Sequence, residues 1–321
     1  MANIQKSLVL VLSNNVVEIK TLVAEGFCPV ECSIGGESIT DELLMDHHGS
    51  NSHLEGVAVR AYRDNFGARK DDPRFVTTGS ADADCTFAVA ALAGLLPHPN
   101  RAVPETAPPN VKAQLNQDLT GLAETVNSVD VNPIGLRIPD LAYGEILMSF
   151  NALTYANKDT LGFYGSVNMW RNLLDARQDQ INPFLTAAKD SEAARIKAAD
   201  EDLEAVGKKV GDFVLLLEGS KAWGFDIWYG RLEEKSFDSI AGWRNPIAIS
   251  WTDKGNVTLG CPNNQVAEAL FGPGGLKNVL PKLQPVGWGG RESIGGSPRG
   301  EILTLEQVRA AAQIIAVNIK L

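Results

Sequence analysis

At 321 residues the chain is too long for one ordinary hydrophobic core and predicts two domains. Its 44% apolar and 21% charged residues describe a folded globular protein and exclude extended disorder. A formal charge of −10 excludes long, sequence-independent nucleic-acid binding, which needs a basic face to displace counterions; a short oligonucleotide or a small phosphorylated molecule stays open as partner.

The first apolar run, Leu8-Val9-Leu10-Val11-Leu12, is too short to cross a bilayer. It also lacks the basic start and small-residue cleavage site of a signal peptide, so a buried parallel strand over residues 8–13 is expected. A helix over 16–25 follows and ends at Gly26. Further strands are expected at 30–34, at 43–45 (ending on Asp46) and at 75–78, with helices at 52–63 and 85–96. That alternation predicts an α/β domain over residues 1–165, a mainly parallel sheet flanked by helices. A proline-rich loop (97–109), a helical stretch to residue 127 and a strand end at 129–133 fall in its second half.

Residues 168–206 are helix-forming and charged, interrupted at Pro183 with Asn182 as a cap, and predict a helical linker over 166–208. Beyond Gly211 the character changes. Strands at 213–218, 225–229, 247–251 and 257–259, a hairpin turn at Asp253-Lys254-Gly255-Asn256, and helices at 265–271 and 305–319 predict a smaller C-terminal α+β domain over 209–321. A glycine-rich loop, residues 287–300, separates the last two helices. Five tryptophans, Trp223, Trp228, Trp243, Trp251 and Trp288, fall in this domain, where core packing is favoured over base stacking. Cys28, Cys32, Cys85 and Cys261 are too few and scattered for a disulfide framework, and Cys28 and Cys32 lack the partners of a zinc site; a reducing, cytoplasmic location is expected.

Three of the four histidines sit in Asp46-His47-His48-Gly49-Ser50-Asn51-Ser52-His53. An apolar run delivers Asp46 to a strand's C-terminal end, where open α/β sheets place ligand sites. Imidazole beside carboxylate suits manganese, iron or zinc; the plain alternative is a polar loop with exposed histidines. Asp82 and Asp84, at i and i+2, cannot both be buried without a cation or strong donors, although either could cap the helix beginning near Cys85. Asp130 is a third carboxylate at an expected strand end, or simply a turn aspartate before Asn132-Pro133.

Together these segments resemble the DHH phosphoesterase family, which includes single-strand exonucleases, small oligonucleotide phosphodiesterases and manganese pyrophosphatases. The tripeptide Asp46-His47-His48, the Asp82-Ala83-Asp84 element and the glycine loop ahead of the last helix carry the likeness. The resemblance implies a metal-dependent phosphoester hydrolase acting on a small phosphorylated or nucleotide substrate in an interdomain cleft. Two Mn2+ ions are implied, with Mg2+, Co2+, Fe2+ or Zn2+ as alternatives. His47, Asp82, Asp84 and Asp130 would be ligands, and Asp46 either a ligand or the carboxylate that orients a histidine. His48 would be the catalytic proton donor or electrostatic partner of the phosphoryl oxygens. Arg291 and Arg299, with Ser293, Gly295, Gly296 and His53, would contact substrate.

Two departures stand out. The Asp-x-Asp element follows the tripeptide here instead of preceding it. Either the domain is circularly permuted, or Ser13-Asn14-Asn15 is a decayed first motif and Glu31-Cys32-Ser33-Ile34-Gly35-Gly36 a second without its aspartate. The C-terminal loop also lacks the family's histidine, for which Arg291 would substitute. Rival readings are a metal-dependent hydrolase of a non-phosphorus bond and a non-catalytic binding protein on the same scaffold. No membrane association is expected, and a homodimer is left open.

Overall fold

The structure, a computed structural model, describes residues 7–34, 37–78, 82–101, 103, 105–131, 138, 141–156, 158–175, 178–221, 243, 245–298 and 301–320. It divides into two compact units, residues 1–131 with 138–189, and residues 132–137 with 190–321.

In unit 1 the chain runs β1 (Val9–Leu12), α1 (Val16–Ala24), β2 (Cys28–Pro29), β3 (Ser33–Ile34), β4 (Glu37–Ser38), α2 (Val57–Asp64), β5 (Arg74–Thr77), α3 (Ala83–Leu92), α4 (Pro109–Leu115), α5 (Thr120–Val131), α6 (Gly144–Ala156) and α7 (Lys158–Asp175), and then into α8 (Gln178–Val206). β5 lies between β1 and β2 in a parallel sheet, with Leu10 beside Phe75 and Cys28 on its other flank. Asn15 caps α1 by accepting from the Val17 and Glu18 N–H groups, and Gly26, at φ 93°, ends it. Every residue of α3 after Ala83 is buried, as expected of a helix apolar on all sides. Around it pack α6 and α7: Trp170 stacks on Phe150 at 4.0 Å, meets Phe87 edge-on, and donates its indole N–H to Thr86 Oγ1 at 3.0 Å.

Four local expectations change. Residues 43–45 form no strand: Leu44 stands at φ 52° in a turn closed by its N–H on the Asp41 carbonyl. The helix expected from residue 52 begins at Val57, after a 3-10 turn at Gly49–Asn51. The strand end at 129–133 is helix as far as Val131, because Leu122, Ala123 and Val126 recur at helical spacing on the buried face of α5; residues 132 and 133 lie outside the described residues. Pro183 sits inside α8 instead of breaking it, at the cost of the backbone bond that its missing N–H cannot make. Of the stretch expected as a linker, Val167, Trp170 and Leu173 are buried in the core of unit 1, and the division between units falls after Lys189.

Unit 2 contains β6 (Gly207–Val210), β7 (Val214–Ser220), β8 (Ile247–Thr252), β9 (Val257–Gly260), α9 (Asn264–Phe271), β10 (Gly289–Gly290), β11 (Ile294–Gly296) and α10 (Leu305–Val317). Its mixed sheet has the order β10-β11-β9-β8-β7-β6, with β7 and β8 parallel and the other pairs antiparallel. Alternate residues of the central strands, among them Val214, Leu216 and Ile249, meet Phe271, Val308 and Ile315 in one core. The β8–β9 turn uses Gly255 at φ 82°, and a Thr304/Gln307 capping box starts α10.

The glycine-rich stretch read as a loop contains a short hairpin, β10–β11, which pairs onto β9, and is otherwise irregular among its described residues. Trp288 is buried in the core, and Trp251 donates its indole N–H to the Leu303 carbonyl. The expected strand at 225–229, with Trp223 and Trp228, lies outside the described residues. No helix among the described residues is long and apolar enough to cross a membrane. All four cysteines are free and buried; burial pushes each thiol up, Cys32 to about 12.

Candidate metal centre

His47 is the hub of the candidate site. Its Nε2 lies 3.0 Å from Glu31 Oε1, 3.3 Å from Asp130 Oδ2 and 3.7 Å from Asp84 Oδ2. The imidazole, Glu31 and Asp84 are buried, whereas Asp130 is 31% exposed. Each donor is delivered by a different segment, for a local reason.

Glu31 follows β2 in the left-handed region, at φ 51°. A non-glycine residue there costs roughly 1–2 kcal/mol and persists only where its surroundings over-determine it. Here the Glu31 N–H donates to the Met45 carbonyl at 2.8 Å, and the Glu31 carbonyl accepts from Thr78 Oγ1 at 2.8 Å.

Asp84 occupies the first turn of α3 but serves another helix. Its two carboxylate oxygens accept from the Val57 and Ala58 N–H groups, both at 2.9 Å, at the N-terminus of α2. The N-cap of α2 is Gly56, which has no side chain to offer, and its N–H donates to Asn127 Oδ1 at 2.6 Å. Three N–H groups at the start of α2, those of Gly56, Val57 and Ala58, are thus satisfied by residues of α3 and α5. Asp130 lies one helical turn beyond Asn127 on the same face of α5.

Asp46 is fully buried and faces other partners. Oδ1 accepts from the His48 N–H at 3.1 Å and lies 2.9 Å from His48 Nδ1, while Oδ2 accepts from Ser38 Oγ. Asn51 in turn donates to the Ser38 hydroxyl at 3.0 Å. Arg60 of α2 holds the backbone here, donating to the carbonyls of Leu44, Asp46 and Glu55. His48 is half-exposed, its ring edge-on to His47 at 4.8 Å.

The electrostatics divide these carboxyls. Burial, reinforced by Asp82, Asp84, Asp130 and Asp46, holds Glu31 well above the ordinary carboxylate range. Burial and the nearby Asp82 charge raise Asp84 to about 6, against the N–H groups of Ala58 and Val57 and the Arg60 guanidinium. Burial would also raise Asp46, but its hydrogen bonds from His48 and Ser38 win and hold it below the ordinary value. Carboxylates crowded this way are relieved by a proton or a cation.

The donor set fits a divalent ion. Two groups have ligand atoms within 4.8 Å of one another, Glu31–His47–His48 and His47–Asp84–Asp130. Ligands bound at ~2.1 Å around one cation stand roughly 3.0–3.4 Å apart, near the separations measured from His47 Nε2.

Of the residues singled out in the sequence, Asp46, His47, His48, Asp84 and Asp130 come together, Asp130 from the last turn of a helix and not from a strand end. Asp82 caps α3, accepting from the Cys85 N–H at 3.0 Å, and contributes charge to the cluster. His53 is exposed, with Nδ1 3.1 Å from the Ser50 carbonyl in its own turn. In unit 2, Gly295 pairs with Gly290 and Leu259, Gly296 pairs with Gly289 and Thr258, and the buried Ser293 accepts the Cys261 N–H on its carbonyl, so this backbone serves the sheet. The Arg291 N–H closes the hairpin onto the Ile294 carbonyl, and Arg299 lies outside the described residues. The fourth histidine, His98, stacks on Phe66 at 4.1 Å as a packing residue.

Sequence reasoning missed Glu31 as a site residue, together with the supporting roles of Gly56, Arg60 and Asn127. A signal for Glu31 was present: it is the acid of the Glu31-Cys32-Ser33-Ile34-Gly35-Gly36 segment, which the collinear one of the two alternative threadings reads as a motif without its aspartate.

No family model and no curated protein matches the chain. Among solved structures it is similar to PggH, a pGpG-specific phosphodiesterase from Vibrio cholerae, with a TM-score of 0.36 and 14% identity over 62% of this chain and 67% of that one. A likeness that low carries neither fold nor chemistry across, and the site stands on its own donors.

Proposed function

We propose that unit 1 is a divalent-metal centre that hydrolyses phosphoesters of a small phosphorylated or nucleotide substrate. One observation carries this: a buried imidazole nitrogen faces carboxylates from three separate segments, Glu31, Asp84 and Asp130. Oxygen donors with a single imidazole suit Mn2+, with Mg2+, Co2+, Fe2+ and Zn2+ as competitors. When bound, such an ion supplies Lewis acidity toward a phosphoryl oxygen and toward water. His47, Asp84, Asp130 and Glu31 hold it. Asp46 orients His48 through Nδ1, and Nε2 is then the nitrogen that can meet a phosphoryl oxygen. The acidic surroundings repel an unneutralised phosphate, which makes the cation a condition of binding as well as of chemistry.

The test is hydrolysis of bis(p-nitrophenyl) phosphate and of short oligonucleotides by chelator-stripped protein, before and after Mn2+ is restored. Activity that returns with metal, and drops on the order of 100-fold or more in His47→Ala and in His48→Ala, supports the proposal. Metal-loaded protein that turns over neither substrate would sink it.

A further inference from the structure

His48 is held by a chain of hydrogen bonds that passes outside its own segment. It offers a ligand atom within 4.8 Å of those of Glu31 and His47, so its ring stands beside the candidate metal centre. Its Nδ1 lies 2.9 Å from Asp46 Oδ1, the oxygen that also accepts the His48 N–H. The other Asp46 oxygen accepts from Ser38 Oγ, and that hydroxyl accepts from Asn51 Nδ2 at 3.0 Å. Asn51 ends the 3-10 turn that follows His48, and its own N–H returns to the His48 carbonyl at 3.0 Å. Residues 46–51 are thus closed into a ring, and Ser38 is the member supplied by another segment.

Two torsions in this ring have no sharp preference of their own. The Asp46 carboxylate and the His48 imidazole each turn about a bond to a planar group, whose energy wells are broad. Contacts must set them. Ser38 fixes the plane of Asp46 at Oδ2, and Asp46 fixes the plane of the imidazole at Nδ1. Asp46 is fully buried, so loss of the Ser38 donor is costly and is not made good by bulk water.

Ser38 is in turn placed from the metal side of the unit. It ends β4, which pairs antiparallel with β3, and the Ile39 N–H donates to the Cys32 carbonyl at 2.7 Å. β3 begins two residues after Glu31, and Thr78 Oγ1 ties the two together: it donates to the Glu31 carbonyl and accepts from the Ser33 N–H. One short antiparallel pair therefore has a candidate ligand at its entry and the brace of His48 at its exit.

From this arrangement we infer that Ser38 is a positioning residue for phosphoester hydrolysis. Braced by Asn51, it holds Asp46 so that His48 keeps Nδ1 on the carboxylate and presents Nε2 to the phosphoryl group, in register with Glu31. The inference rests on the function proposed above.

The experiment compares the parent with Ser38→Ala and Ser38→Thr in two ways. Imidazole nitrogen NMR of the chelator-stripped full chain, with the His48 signals assigned by their loss in His48→Gln, reads which ring nitrogen carries the proton, a choice that the hydrogen bond at the other nitrogen sets. The expected result at alkaline pH is a parent His48 protonated at Nδ1, mixed tautomers in Ser38→Ala, and the parent pattern again in Ser38→Thr, which keeps the hydroxyl. With Mn2+ present, kcat on bis(p-nitrophenyl) phosphate should fall about 10- to 100-fold in Ser38→Ala and return in Ser38→Thr, while KM and Mn2+ affinity stay near the parent's. Asn51→Ala, one link further out, should move the same signals the same way, and it reads the chain should Ser38→Ala not fold. A folded Ser38→Ala protein with the parent's tautomer or the parent's kcat would overturn the inference. So would one in which Mn2+ affinity falls as far as kcat, since Ser38 would then support the fold around the metal and not His48. A parent without turnover would overturn the proposed function instead, while the tautomers still decide whether Ser38 holds His48.

Discussion

Asn127 and Asp130 stand one turn apart on α5; the first caps the N-terminus of α2 and the second faces His47. A capping contact and a candidate ligand are therefore fixed by one helix face. Asn127→Ala should destabilise the protein by about 1 kcal/mol, as for loss of a helix cap. Because Asp130 loses its anchor as well, the variant should also bind Mn2+ more weakly. Urea denaturation with calorimetric titration checks both; normal affinity in a destabilised variant would uncouple the cap from the site.

Gly56→Ala should reverse the usual sign of a glycine substitution. Where the backbone tolerates it, glycine to alanine stabilises by ~0.4–1 kcal/mol. At Gly56 a Cβ would stand 2.8 Å from Asn127 Oδ1 and 2.9 Å from Asp84 Oδ1. Both partners must move, so the expected outcome is a lower melting temperature with a weaker metal isotherm. A variant as stable as the parent, with unchanged affinity, would contradict the cramped geometry.

Glu31→Gln should stabilise the chelator-stripped protein at pH 8 while weakening metal binding. A carboxyl held above its ordinary range in the folded state contributes most below its unfolded value and becomes a liability as the pH rises. The amide removes that liability but is a poorer ligand. Thermal melts with and without Mn2+ read both effects. Destabilisation of the metal-free variant would mean that Glu31 serves structure first.

Glu218, in unit 2, gives a prediction of opposite sign. Arg309 grips it with two bonds, of 2.7 and 2.8 Å, and outweighs partial burial; with Lys208 also donating, the carboxyl is lowered to about 2. A depressed carboxyl stabilises the fold above its unfolded value, and the contribution disappears as the pH falls from about 4.5 toward 2. Both basic partners are more than half exposed, so screening limits the contribution to about 1 kcal/mol. Urea melts of Glu218→Gln should lie below the parent at pH 7, approach it near pH 3, and approach it again in high salt.

Much of the scaffold was legible because it depends on short-range pattern. The apolar runs Leu8-Val9-Leu10-Val11-Leu12 and Phe75-Val76 yielded the paired parallel strands, although β1 is not the buried strand expected, since Val9 and Leu12 are exposed; the apolar α3 and the Gly255 turn fell where expected. The misses depend on distant partners. The apolar triplet at 43–45 resembled a strand until Arg60 and the left-handed Leu44 bent it. Val129-Asp130-Val131 alternates like a strand, yet the burial of Leu122 and Val126 commits it to helix. Asp46, His47 and His48 announced themselves by clustering. Glu31 did not, because Met45 and Thr78, far along the chain, aim it at His47.

Glu31, His47, Asp84 and Asp130 enter from near the start of unit 1, from an irregular loop, from the first turn of one helix and from the last turn of another. No short stretch of the chain contains the set, so cation uptake would report completed tertiary structure and not local order. A bound ion would also act as a removable staple across most of that unit, stabilising the folded state by mass action because the unfolded chain lacks the assembled site. Expression in metal-poor medium should then lower the yield of folded protein before it lowers any turnover.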